Sequence, residues 1–286
     1  ISKPKLSAWL LLLMIIMGGA SPAWANGGGA FLESGFGSRP LGMGKAYVAV
    51  AENADAVYWD PAALADIKQA EFTSMYTKMW GDVSTTYLAY AQSLDGYGHV
   101  GVSYIRSAID GISKTDSFGS LLGSINYSDQ ALLLAYGKPV WENLDMGSTI
   151  KIVAQTLDDK SNAGADIDLA AKLTIDHTLS AALKIENALE GSIGPDKFDR
   201  NYKLGPAYRP SDTLLLAADL NANNKRSYFN YGVEWAILPI FTVRGGVSDR
   251  RFAAGIGLSV DGFTFDYSFS KHDLGDINTF SLSAHL

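Results

Sequence analysis

From about residue 69 to its end, the chain alternates apolar and polar side chains with a period of two, in segments divided by short polar turns. The pattern is plainest late in the sequence. Phe263, Phe265, Tyr267 and Phe269 alternate with Thr264, Asp266, Ser268 and Ser270. Phe252, Ala254, Ile256, Leu258 and Val260 alternate with Arg251, Ala253, Gly255, Gly257 and Ser259. Phe229, Tyr231, Val233, Trp235 and Ile237, and again Ala165, Ile167, Leu169, Ala171, Leu173 and Ile175, follow the same rule. In an extended strand this period places each set on one face. Segments of about 9 to 11 residues have the length a tilted strand needs to cross a bilayer. They predict strands at 69–79, 83–94, 97–106, 125–138, 144–157, 163–175, 178–188, 200–208, 212–221, 228–237, 240–248, 251–260, 262–270 and 277–286. That is about fourteen, and closed single-chain barrels favour an even count. The fold class is therefore all-β, a transmembrane antiparallel barrel.

The turns support a barrel. Asp95-Gly96-Tyr97-Gly98, Asp261-Gly262 and Leu238-Pro239 are tight, while 107–124, 189–199 and 271–276 read as longer connections. Tight turns at one end and longer loops at the other are the membrane-barrel asymmetry. The last strand runs to Leu286 through Phe280, Leu282 and Ala284, so it can zip to the first, as lipid demands of a sheet with no free edge. A terminal amphipathic strand is what barrel-assembly machinery reads. Leu286 stands here where an aromatic is usual.

Composition narrows the classes further. No later apolar run reaches the ~18 residues of a helical span. The chain has net charge −7, no cysteine and no basic cluster. This excludes a disulfide-stapled secreted domain and a nucleic-acid partner. Residues 1–25 read as a signal peptide: Lys3 and Lys5, an apolar stretch from Leu10 to Met17, then Ala23-Trp24-Ala25 as cleavage site. The expected location is the outer membrane of a Gram-negative-type cell, with lipid as first partner.

Between signal and strands lies a different kind of segment. Residues 26–40 are Gly- and Ser-rich. From Gly42 to Leu64 the chain is glycine-rich, then small and apolar, and closes on Tyr58-Trp59-Asp60-Pro61-Ala62-Ala63-Leu64. Asp60 suits an N-cap and Pro61 the first helical position, so a short helix is expected there. The division is 1–25 signal, 26–67 N-terminal segment, 68–286 barrel.

Leu41-Gly42-Met43-Gly44, Ala49-Val50-Ala51 and Asn53 through Leu64 resemble the N-terminal signature of PorV/PorQ-type outer-membrane proteins, relatives of the FadL-type long-chain fatty-acid transporters. Phe265 to Ser283 is similar to that family's closing hairpin. Asp60 stands where the family usually has Asn before Pro. The resemblance implies fourteen strands, a segment 26–67 that sits in the lumen as a plug, and passage of a hydrophobic molecule. It directs attention to Tyr47, Asn53, Asp55, Tyr58, Trp59, Asp60 and Pro61 as plug or ligand-path residues.

Lys151, Asp166, Asp168, Lys172, Lys184, Glu186, Glu234, Arg244, Arg251 and Asp266 fall on the polar faces, which in a barrel line the lumen. They can form a polar conduit, or a paired charge network that holds wall and plug together. Likewise Tyr47, Tyr58 and Trp59 can line a path or simply wedge a plug. The glycine pairs lack full G-x-G-x-x-G spacing, and His99, His177, His272 and His285 lack metal-ligand spacing. The Asp158-Asp159 and Asp273/Asp276 tips read as solvated loops rather than calcium sites. No catalytic triad signature, metal or cofactor is expected, so the chain is not read as an enzyme. Three functions stay open: passage of a fatty-acid-like small molecule, a PorV-like accessory that contacts secretion-system proteins, and a structural barrel without cargo.

Overall fold

The computed structural model describes residues 28–286. Residues 1–25, expected from sequence to be a signal peptide, and Asn26–Gly27 lie outside the described residues. The strands are β1 (Glu71–Lys78), β2 (Ser84–Leu94), β3 (Gly98–Thr115), β4 (Leu121–Trp141), β5 (Leu144–Leu157), β6 (Lys160–Thr174), β7 (Leu179–Glu186), β8 (Ser192–Ile193), β9 (Asp196–Lys197), β10 (Asn201–Ser211), β11 (Leu214–Ala222), β12 (Ser227–Leu238), β13 (Phe241–Ser248), β14 (Arg251–Val260), β15 (Phe263–Ser270) and β16 (Ile277–His285). Fourteen of them close an antiparallel barrel in chain order, with β8 and β9 as a separate small hairpin. Closure pairs β1 with β16 from Glu71↔His285 to Lys78↔Asn278.

The alternation becomes the two faces of the wall. Leu169, Ile152, Val233, Trp235, Phe252, Ile256, Phe265 and Phe280 are exposed on the outside, while Asp168, Lys151, Arg244, Asp266 and Thr279 are buried within. An outward apolar band on a barrel with every backbone edge paired is the arrangement a hydrocarbon layer accepts. No helix among the described residues is long and apolar enough to cross a membrane.

Two connections differ from expectation. The stretch 107–124 is not a loop: β3 and β4 keep pairing from Ile109↔Tyr127 to Thr115↔Leu121, although β2 stops at Ser84↔Ala108. They form a two-stranded ribbon that stands clear of the wall. Both its faces meet solvent, so its sequence needs no alternation. The 189–199 connection carries β8 and β9 and folds over the barrel mouth, with Ile193 and Phe198 buried.

Residues 28–67 run through the interior. They contain short turns of helix at Ala30–Ser34, Ser38–Gly42, Ala56–Trp59 and Pro61–Asp66. The Asp60 carboxylate accepts the Ala62 N–H at 3.0 Å and Pro61 opens the last of these turns, which is 3-10 rather than α. Nearly all of 42–64 is buried. The segment begins near β9, where the Gly28 N–H reaches the Lys197 carbonyl at 2.9 Å, and leaves at the opposite end into β1. At that exit Glu71 accepts the Ala54 N–H at 3.1 Å and pairs with His285 at 3.2 Å, so one side chain ties the segment to both sides of the seam.

Candidate functional site

Two pairs of inward glycines seat the inner segment. Gly137 and Gly147 are register partners on β4 and β5, and a Cβ on either would collide with the Pro61 backbone. Gly232 and Gly246 are register partners on β12 and β13, and there a Cβ would collide with the Met43 backbone. In the closed order these windows lie on nearly opposite walls. Glycine weakens a strand, and its use here fits a close approach of two backbones.

Between the windows Asp219 accepts the N–H groups of Tyr47 (2.7 Å) and Val48 (3.0 Å). Its carboxylate occupies space that a side chain at position 205 would fill. Beside it the wall is incomplete: the β10–β11 ladder runs to Leu204↔Leu220, skips Gly205 and Pro206, and resumes at Ala207↔Ala217. Proline has no N–H to give to that ladder.

The lumen charges form two continuous chains. In one, Lys151–Asp168 (2.6 Å), Asp168–Lys184 (3.1 Å), Lys184–Glu186 (3.1 Å) and Glu186–Lys203 (2.8 Å) cross β5, β6, β7 and β10. Lys184 also donates to the Tyr58 carbonyl. In the other, Arg209–Glu52 (2.7 Å), Glu52–Arg39 (2.7 Å), Arg39–Glu234 (2.7 Å), Glu234–Arg244 (2.6 Å) and Arg244–Asp266 (2.6 Å) join the wall to the segment and return to the wall. Asp166 takes a different part, accepting the N–H groups of Leu189 (3.1 Å) and Gly191 (2.7 Å) to hold the folded-over loop. Lys172 pairs with Asp66 near the barrel's turn end. Arg251 belongs to the rim rather than the lumen wall: it opens β14 and pairs with Asp273 at 2.7 Å.

The aromatics form a packed knot. Tyr58 meets Phe36 edge-on at 4.9 Å and Trp59 at 5.1 Å, and Tyr47 meets Trp59 at 5.7 Å. The Trp59 ring N–H donates to the Phe36 carbonyl at 2.8 Å, and the Tyr58 hydroxyl donates to the Leu32 carbonyl. Asn53 accepts the Asp55 N–H at 3.1 Å, shaping the turn before Tyr58. None of Tyr47, Tyr58 and Trp59 lines either of the two larger cavities.

Those cavities lie at opposite ends with the segment between them. At the loop end a space of about 280 Å³ has Phe36, Leu41, Gly44 and Lys45 of the segment as its floor. Met75 and Tyr228 form walls, and Trp80 and His272 stack at the rim with centroids 4.0 Å apart. At the turn end a space of about 450 Å³ is charged, lined by Glu52, Asp66, Lys172, Asp176, His177 and Arg209. Of the loop-end set, Arg251 was singled out from sequence as a lumen charge and the other members were not. They come from distant stretches, and Lys45, a charge inside a small apolar run, carried a further local signal.

Two segment carboxyls are held at unusual values. Burial, reinforced by Asp266, pushes Asp55 from 3.8 up to about 7. Burial likewise pushes Asp60 up to about 7, against the opposing pull of Lys172. A native pKa above the unfolded one means the folded state holds extra protons between pH ~4 and ~7. The stabilisation is complete below the ordinary value and is lost as pH rises through about 7. Thermal unfolding in detergent is therefore expected to shift to lower temperature from pH 5 to pH 8. Asp55→Asn with Asp60→Asn should flatten that slope. A melting temperature that rises across the window in the unmodified protein rules this out.

No protein-family model matches the chain, and no curated protein matches it by sequence. Solved structures do match. The TodX monoaromatic hydrocarbon channel (a deltaS2 mutant) superposes with TM-score 0.63 at 11% identity, over 87% of this chain and 97% of that one. The Pseudomonas putida toluene transporter TodX gives 0.60 at 11%, over 87% and 96%. A Pseudomonas aeruginosa FadL homologue gives 0.58 at 11%, over 86% and 97%. At that identity the likeness is one of fold, and it extends over nearly the whole of each neighbour: the chain has the barrel fold of TodX and of the FadL homologue.

Proposed function

We propose that the chain is an outer-membrane passage for hydrophobic small molecules, with residues 28–67 as a displaceable plug. The observation that carries this reading is the loop-end cavity, whose floor is the inner segment and not the barrel wall. A ligand that settles there presses on the one element that could move aside. Short turns mark the periplasmic end of such barrels, so this cavity faces outward. The names of the structural neighbours, a hydrocarbon channel and a toluene transporter, favour an apolar cargo. The skipped ladder at Gly205–Pro206 is the natural lateral exit, since it already lacks cross-strand bonds. Cleavage of residues 1–25 would release the chain for assembly into the membrane.

A PorV-like accessory role is a second reading. It is favoured by the projecting β3–β4 ribbon, which carries Phe118 (92% exposed), Leu121 (70%) and Leu122 (62%) beyond the wall. Large apolar side chains in such a place suit a protein contact.

Uptake of labelled toluene by Gram-negative cells that express the chain tests both. Saturable uptake is expected, and deleting 110–124 should leave it intact. The chain has no cysteine, so Pro206→Cys with Ala218→Cys supplies the only pair. Oxidation should suppress uptake and reductant restore it. Uptake no faster than in empty cells, with a co-purifying secretion protein lost on ribbon deletion, would turn the assignment to the second reading.

A further inference from the structure

On the outer face of β2 to β5 the side chains change character with height, in step across the strands. The register sets them in rows, and successive rows on one face are ~7 Å apart along a strand. Two rows are apolar and exposed: Tyr90–Val102–Leu134–Ile150 and, one step nearer the loop end, Leu88–Tyr104–Leu132–Ile152. The next row is Thr86–Arg106–Gln130, and the one above it sets Ser84, Ser128 and Thr156 around the small Ala108. The β3–β4 ribbon leaves the wall directly above that row. Within two steps the surface passes from hydrocarbon, through one arginine, to hydroxyls.

Arg106 is exposed on this outer face, and among the described residues no carboxylate lies within ion-pair distance of it. Arg39, Arg209 and Arg244 inside the barrel each hold one. A charge on the lipid face is tolerated near the bilayer's interfaces and not at its middle. The short turns put the loop end outside, so Arg106 stands at the level of the outer-leaflet headgroups. Thr86 and Gln130 flank it as cross-strand partners, with Cβ atoms ~5 Å away on either side. The Gln130 carbonyl oxygen accepts the Tyr104 hydroxyl at 2.9 Å, which orients the amide and leaves its N–H groups free to donate. Lys78, beside Ser84 on the next strand, is answered by Asp82 at 2.9 Å. Asp110, the one acid on β3, is four residues higher, in the ribbon. A free guanidinium flanked by neutral donors matches a phosphate. The hydroxyls above it match a sugar, and the apolar rows below match acyl chains.

We propose that the outer face of β2 to β5 is a binding site for a phosphorylated glycolipid of the outer leaflet. Its phosphate is held by Arg106 and Gln130, its sugar lies against Ser84, Ser128 and Thr156, and its acyl chains run along Leu88, Tyr104, Leu132 and Ile152. A glycerophospholipid offers the phosphate and the chains but no sugar for the upper row. A lipid held here braces the foot of the ribbon. The site requires the barrel to sit in a membrane and is independent of what passes through its lumen.

The test is native mass spectrometry of the purified barrel in mild detergent. It is titrated with a bisphosphorylated, acylated glucosamine disaccharide, with the dephosphorylated form of that lipid, and with phosphatidylglycerol. One bisphosphorylated glycolipid should stay bound, at least tenfold more tightly than either of the others. Arg106→Gln should remove that margin. Arg106→Lys, which keeps the charge but not the planar fork, should keep part of it. Gln130→Leu, a second approach to the same site, should weaken the glycolipid severalfold. All three changes lie on the outer surface of continuous ladders, so melting temperatures in detergent should match the parent. Lys138→Gln, at an exposed cation near the opposite end of β4, is the control and should leave binding unchanged. Full glycolipid binding by folded Arg106→Gln and Gln130→Leu barrels overturns the site. Phosphatidylglycerol bound as tightly as the glycolipid overturns the glycolipid as its occupant.

Discussion

Gly147→Leu is expected to unseat the lower half of the inner segment and turn a closed barrel into a conducting one. The new side chain starts where the Pro61 carbonyl and the Ala62 nitrogen already lie. Neither side can give way cheaply. Behind Gly147 the β4–β5 and β5–β6 ladders are continuous, and in front is the capped turn Pro61–Asp66. Overpacking a filled core costs about 1–3 kcal/mol when the intruder is a methylene or two, and backbone is less forgiving than side chain. Displacing the turn is the cheaper outcome, because the wall is hydrogen-bonded on both edges. In planar bilayers the variant should show ohmic steps that the unmodified protein lacks. Gly245→Ala is the control: a Cβ there meets only Val233, at 3.7 Å. A Gly147→Leu barrel as closed and as heat-stable as the parent would show that the glycine windows do not seat the segment.

Glu234→Gln should be the most destabilising single change in the lumen. Glu234 is shared by Arg39 and Arg244, whose side chains are 14% and 5% exposed. Neutralising it leaves Glu52 and Asp266 to answer three arginines, Arg209, Arg39 and Arg244, and removes the link that ties segment to wall. Removing one partner of a buried pair costs about 3–5 kcal/mol, because the charge left behind stays desolvated. Adding Arg39→Met to the same chain should recover part of the loss, since one stranded charge goes with it. Denaturant unfolding in detergent reads both. A loss below about 1 kcal/mol, the value of a solvated surface pair, would mean that water reaches this chain freely.

The fold was legible wherever one face of a strand had to meet lipid. Phe252, Ile256 and Leu258 leave no choice of register, and their alternation located β14 to the residue. Legibility ends where that constraint ends. Past Ala108 the β3–β4 ribbon is wetted on both sides, and Gly111, Gly119 and Gly123 broke the pattern without breaking the pairing. The lumen was half legible. Glu234 and Arg244 are cross-strand partners that a register could foresee, but Arg39 reaches Glu234 from 195 positions away. Tyr58 and Trp59 drew attention by size, while the cavity is lined by residues gathered from loops and strands far apart. The glycine windows were invisible for a simpler reason. A glycine in a strand reads as a weakness until the backbone that crosses it is known.

The grip of Glu71 on Ala54 and His285 carries a consequence for how the barrel is made. β1 and β16 are the first and last strands of the wall in chain order, so their seam is the pairing that turns the sheet into a closed barrel. Glu71 is 8% exposed there and accepts from both the inner segment and the last strand. A wall that closed around an empty lumen would bury this carboxylate with one of its two donors missing. The seam therefore inspects the contents as it shuts: a correctly filled barrel zips completely, and an unfilled one carries an unanswered charge at its last stitch and reopens more readily.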